Sequence, residues 1–230
     1  MSDEPAVPAG TAPSVPGQPW THVYDAIFGG LNHALSNLVM GMDAAIVRGG
    51  AIDPGRLRAE RDQLDRLLRL YRLMESSAGE RAEALLVPDV ALDAIGLMGQ
   101  HAVYGGVRVE ARLTGSGGSG VAAVSAPRRA LTHAILVLLH ETARHADLDG
   151  DERSIFVQLA ATPTQVQVIV GTVGAARRTS AQGVDVLRAA PALLGLPTAA
   201  VVEQFDSAGA YVVVLMLPAL RARRAPGIPD

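Results

Sequence analysis

The sequence predicts an α+β protein, an N-terminal antiparallel helical hairpin followed by an α/β sandwich. Three observations lead there. Apolar residues recur at helical spacing over two long segments, Thr21–Arg48 and Pro54–Ser76, with a short glycine-bearing break between them. Beyond residue 80 the period changes, and alternating runs (VRVEARL, SIFVQLA, QVQVIVG) are interspersed with helical ones. Hydrophobic residues make up 49% of the 230 and charged residues 19%, a balance that supports a real core.

Residues 1–19 hold five of the fourteen prolines. Proline fixes φ and removes a backbone donor, so this stretch is expected to be a disordered tail. It also lacks the basic and apolar regions of a signal peptide. In the first helix Tyr24, Leu31, Leu38 and Ala45 form one heptad row, with Phe28, Leu35 and Met42 beside it. At about 100° per residue the two rows make one apolar stripe. His33 falls about 200° from the Leu31 row and Asn37 lies next to it, so both should point away from the seam. Gly29 and Gly30 are poor helix formers, and their turn is expected to bend or to take a close neighbour.

Gly49 or Gly50 suits a C-cap, Asp53 an N-cap and Pro54 the first helical position. The second helix carries a seam of Leu57, Leu64 and Tyr71 with Leu67 and Met74. Arg58–Asp62, Arg61–Asp65 and Asp65–Arg69 are spaced for ion pairs on its wet side. A lone hairpin buries such seams poorly, whereas two hairpins can pack as a four-helix bundle. Residues 20–80 are therefore expected to form a homodimer.

The remainder, 81–220, reads as the sandwich. SSAGERAEALLVP looks like a connector. A helix is expected over Asp89–Tyr104, stopped by Gly105 and Gly106, then a strand over Val107–Leu113 and a flexible TGSGGSG loop. Next come a helix over Pro127–Ala146, a strand hairpin of Ser154–Ala160 with Gln165–Gly171, and a weaker helix over Pro191–Gln204. Ala210–Pro218 is apolar on both faces, as befits a central or covered strand. One mixed sheet with helices on one face accommodates this order. Residues 221–230 are expected to fray.

Composition excludes several chemistries. The chain has no cysteine, so disulfides, thiolate catalysis and cysteine-zinc sites are out. All 20 basic residues are arginine, which removes a P-loop, a Schiff base and a kinase-type lysine. A net charge of −3 with no basic patch gives no expectation of a nucleic-acid partner. No apolar run reaches the ~18–20 residues of a membrane helix, so no membrane partner and a cytoplasmic location are expected. In HETARHA the histidines His140 and His145 lie about 140° apart on a helix, and only Glu141 and His145 share a face. No metal site is expected there, and His140 should pack or bond locally. His22 and His101 belong to no pattern. TGSGGSG lacks a lysine and a strand-to-helix junction, so it reads as a linker; Arg177 and Arg178 read as a solvated pair.

GGLNHALSNLVMGM resembles the histidine box of bacterial sensor histidine kinases, of the form G-G-x-x-H-D-F-N-N-L-L. Gly29, Gly30, His33, Asn37 and Leu38 match. After its helical hairpin that family continues with a GHKL-type ATP-binding domain, whose order is helix, strand, helix, strand hairpin, nucleotide loops, helix, strand. The chain follows this order over about 21–220, ending on VVVLMLP. The departures concern the nucleotide. Ala34 stands where an acid usually follows the histidine. Glu141 and Val137 stand where two asparagines are usual. No aspartate occurs between Gln165 and Gln182 to read adenine, and GVDVLRAAPALLGLP supplies no second glycine loop. The resemblance thus implies a degenerate histidine-kinase-type α/β sandwich with no nucleotide cofactor.

An exposed histidine on a dimeric hairpin beside an empty ATPase-like domain resembles the dimeric histidine phosphotransferases of bacterial phosphorelays. Such proteins pass a phosphoryl group between receiver-domain aspartates through one histidine, without ATP, and the receiver brings its own magnesium. The resemblance implies that His33 is the phosphoacceptor. It implies a water-orienting role for Asn37 and a docking face for the receiver of a response regulator or hybrid kinase at Gly30, Ser36, Asn37 and Met40. The alternative is a non-enzymatic pseudokinase scaffold or inhibitor that binds a response regulator or another signalling protein. An active ATP-dependent kinase is disfavoured by the missing aspartate and asparagines.

Overall fold

The computed structural model describes residues 21–47, 53–76, 79–113, 122–146, 154–174, 187, 191, 199–205 and 209–220. The expected tails, the glycine break, the TGSGGSG loop, most of the segment after residue 174 and the Arg177–Arg178 pair lie outside them. Helix α1 spans Thr21–Val47 and helix α2 spans Pro54–Leu73. Asp53 opens α2 as its sequence suggested: its carboxylate accepts from Gly55 N at 2.9 Å and Arg56 N at 3.3 Å, with Pro54 in the first turn. The Tyr71 hydroxyl donates to Asn32 near the top of α1, and Arg56 donates to the Gly41 carbonyl further down, so the helices run antiparallel.

The chain then forms strand β1 (Glu83–Leu86), helix α3 (Val87–Met98), strands β2 (Arg108–Arg112) and β3 (Ala123–Ala126), and helix α4 (Arg128–His145). Strands β4 (Ser154–Ala161), β5 (Gln165–Thr172), β6 (Ala200–Phe205) and β7 (Tyr211–Pro218) complete it. The architecture is α+β, and the described residues include these four helices and a mixed five-stranded sheet of order β2-β4-β5-β7-β6. Only β2 and β4 are parallel; the register sets Val109 against Ile155, Val157 against Val170 and Val168 against Leu215. Ile155, Val157, Leu159, Val168, Val170, Val213 and Leu215 alternate onto one buried face, which packs on α4. That helix is buried almost all round, between the sheet on one side and α3 and the top of the hairpin on the other.

Three expectations need correction. The connector contains β1, which pairs with β3 in a separate two-stranded sheet; GERAEALLVP lacks the strict alternation that would have marked it. Helix α3 stops at Met98, not Tyr104; Gly99 caps it in a right-handed conformation and the chain turns away over residues 99–106. Residues 200–205 of the expected last helix form β6, on the edge beside β7. Their apolar spacing fits either period, and pairing with β7 settled it.

One hydrophobic cluster runs across the expected boundary at residue 80. Val23, Ile27 and Leu31 of α1 and Leu67, Leu70 and Leu73 of α2 belong to it together with Leu97, Leu131 and Ile135. Polar ties reinforce the seam. Asp93 on α3 accepts from Arg69 of α2 at 2.6 Å and from Arg128 of α4 at 2.7 Å. Arg69 thus reaches across to α3 where an ion pair with Asp65 was expected. His133 of α4 donates from Nε2 to the Leu73 carbonyl at 2.7 Å, satisfying an orphan acceptor at the C-terminus of α2. Burial pushes the His133 imidazole down to about 4, so it remains neutral. Among the described residues no helix is long and apolar enough to cross a membrane.

Candidate functional site

Helix geometry puts His33, Ser36, Asn37 and Met40 along one side of α1, and all four are exposed. Leu31, on the opposite side, is fully buried. The Asn37 side-chain amide donates to His33 Nε2 at 3.1 Å. A ring that accepts at Nε2 carries its proton on Nδ1, so in this contact the Nε2 lone pair points at the Asn37 amide. Asn32, one residue before His33, is held by the Tyr71 hydroxyl, which fixes this turn of α1 against α2. Ala34 packs half-buried against the core, where a carboxylate would lose hydration.

Gly30 does not belong to that open face. It is half-buried, and a methyl group on it would run into the Gln100 carbonyl oxygen. The Ala102 amide donates to the Ala26 carbonyl at 3.2 Å, so the turn after α3 lies along α1 at this height. The close-neighbour alternative read from the glycine pair therefore applies to Gly30, while Gly29 faces open space. The surface around His33 is formed by Ser36, Asn37 and Met40.

At the other candidate position, Val137 and Glu141 are both buried on α4. Both Glu141 oxygens have partners: His140 Nδ1 lies 3.1 Å from Oε1, and Arg144 Nη1 donates to Oε2 at 2.9 Å and to Oε1 at 3.2 Å. Burial works against the Glu141 charge, but the His140 hydrogen bond and the Arg144 guanidinium outweigh it and hold the carboxyl below its usual range. Beyond it, His145 stacks on Tyr211 with ring centroids 3.9 Å apart, and Phe205 lies 5.3 Å from the same tyrosine. These contacts fill the C-terminal end of α4 with protein side chains.

His140 bonds locally, as its neighbourhood suggested, but it is not alone. The ring of His22, in the first turn of α1, lies 5.0 Å from it, His101 lies 5.2 Å away and Tyr104 5.3 Å. His22, His140 and Glu141 each offer a donor atom, all within 4.8 Å of one another. Spacing within HETARHA could not reveal this set, because its third member comes from another helix. His101 accepts at Nδ1 from the Val103 and Tyr104 amides, each at 3.1 Å. Burial, with His140 and His22 nearby, pushes His101 down to about 4, so it is neutral with its proton on Nε2.

No protein-family model and no curated protein sequence matches the chain. Among solved structures it is similar to the catalytic domain of histidine kinase ThkA, at 12% identity and a TM-score of 0.46 over 60% of this chain and 96% of that one. It is also similar to the Acinetobacter baumannii histidine kinase AdeS, at 11% identity and a TM-score of 0.46 over 82% of this chain and 96% of that one. A third is ThkA in complex with the response regulator protein TrrA, at 13% identity and a TM-score of 0.45, covering 84% and 61%. Similarity at this level leaves the functional reading to the chain's own residues.

Proposed function

We propose that the chain is a histidine phosphotransferase of a bacterial phosphorelay, with His33 exchanging a phosphoryl group with a receiver-domain aspartate. The observation that carries this reading is His33 itself. It is exposed within the histidine-box-like GGLNHALSNL, opposite the buried Leu31, with its Nε2 lone pair met by the Asn37 amide. The Nε2 pair forms an N–P bond while the phosphorus–oxygen bond to the receiver's aspartate breaks in line. The carboxylate leaves with the electron pair, and the ring shares its positive charge with the Nδ1 proton. Return of the phosphoryl group is the reverse. Asn37 must swing off Nε2 as the phosphorus arrives. No ATP is needed, since the aspartyl phosphate is already activated.

The receiver docks on Ser36, Asn37 and Met40, the last 60% exposed. A homodimer forms along the outer side of α2, where Leu57 and Leu68 stand 44% and 43% exposed on one helical side. The phosphoryl test incubates the protein with receiver domains charged by a small phosphodonor. Acid-labile label should appear on His33 and vanish in His33→Ala, with folding unchanged. His33→Ala protein that still relays phosphate would sink the assignment. Wild type that never takes label but binds receivers tightly would establish the scaffold reading, which the exposed Met40 beside His33 also suits. Light scattering should report a dimer, dissociated by Leu57→Asp.

A further inference from the structure

We infer that His22, His140 and Glu141 form a binding site for a divalent transition-metal ion, zinc above all, that clips the first turn of α1 to α4. The inference is independent of the phosphotransfer reading. Two imidazoles and a carboxylate are a donor set for zinc, in which three protein ligands leave a fourth position for water. Their donor atoms lie within 4.8 Å of one another. Tetrahedral ligands at ~2.1 Å from zinc stand roughly 3.4 Å apart, so closure asks for a small movement. His22 can make it: its residue is exposed and sits at the start of its helix, while His140 and Glu141 are fixed in the core.

The surroundings suit an ion. The Glu141 oxygens make three contacts, Arg144 at 2.9 Å on one and at 3.2 Å on the other, which also lies 3.1 Å from His140 Nδ1. A carboxylate has about four lone-pair directions, so an acceptor direction for the metal remains. His101 lies beside His140, with ring centroids 5.2 Å apart. Its Nε2–H is buried with no acceptor among the described residues. Softer, thiolate-preferring ions find no cysteine here, and magnesium prefers an all-oxygen shell.

The test uses the full chain, stripped with a chelator and then titrated with zinc by calorimetry, with metal content read by mass spectrometry. One zinc per chain is expected, together with a rise in melting temperature. Cobalt in its place should show the intense ligand-field bands of a four-coordinate site. His22→Ala, an exposed change, should keep the fold by circular dichroism and lower zinc affinity by at least ~10–100-fold. Glu141→Gln should act likewise. His33→Ala, outside the cluster, should leave zinc binding intact. The inference fails if wild type takes up no zinc, or if His22→Ala binds it as tightly as wild type.

Discussion

The two ends of the α1–α2 hairpin carry the same kind of apolar seam and meet opposite fates. At the upper end Leu31, Leu67 and Leu70 are buried, because α3 and α4 pack against them. At the lower end Leu57, on the α2 seam, is 44% exposed. Heptad spacing says which side of a helix seeks burial. It does not say whether the fold supplies something to bury it against. The upper end is finished within one chain, and the homodimer proposed above would cover the lower end.

The largest effect should therefore come from truncating the upper end. Leu31→Ala removes a fully buried side chain whose neighbours are held by three helices, and should cost about 2–5 kcal/mol in urea denaturation. Leu57→Ala should cost less than about 0.5 kcal/mol at dilutions where scattering reports a monomer. Equal costs at the two ends would mean that the hairpin does not lean on the body as described.

A second contrast lies between histidines. His33 stands in water, whereas His133 is buried under the end of α2 and bonded to the Leu73 carbonyl. The folded His133 binds a proton only near pH 4, against about 6.5 for an unfolded histidine. The unfolded state thus takes up protons first as pH falls. Stability should be fully present above about 6.5 and decline toward 4, by up to about 3 kcal/mol from this residue. Urea midpoints at pH 7, 5.5 and 4.5 check it (approximate steps across that window). His133→Gln should flatten the slope without abolishing it, since His101 shifts the same way. A wild-type stability that is constant from 6.5 to 4 would contradict both burials.

How much of this was readable in the sequence depends on range. The capping of α2 by Asp53, the strand hairpin of β4 and β5, and the central place of β7 follow from local chemistry and period, and were legible. The outward direction of His33 was legible for the same reason: 200° on a helix is arithmetic. β1 and β6 were not, because their strand character comes from pairing with β3 and β7, far along the chain. Nor was the His22–His140–Glu141 cluster, which exists only because the first turn of α1 meets α4 at His140. Gly30 shows the limit within a single turn. The glycine pair signalled a bend or a close neighbour, and nothing local said which residue met that neighbour.

That pair gives the smallest and sharpest contrast. Gly29 and Gly30 occupy one turn of one helix, so their intrinsic cost relative to alanine is the same, about 1 kcal/mol each. Their surroundings differ. Nothing lies within 4 Å of a methyl placed on Gly29, whereas one on Gly30 meets the Gln100 backbone carbonyl, which cannot rotate aside like a side chain. Gly29→Ala should raise stability by up to about 1 kcal/mol. Gly30→Ala gains the same helix propensity but must push the Gln100 turn away, straining the Ala102–Ala26 hydrogen bond, and should lose about 1–3 kcal/mol net. Thermal melts of the two variants against wild type read the difference in sign directly. If both substitutions stabilise, the turn after α3 does not lie on α1, and the packed end of the hairpin is looser than its burial indicates.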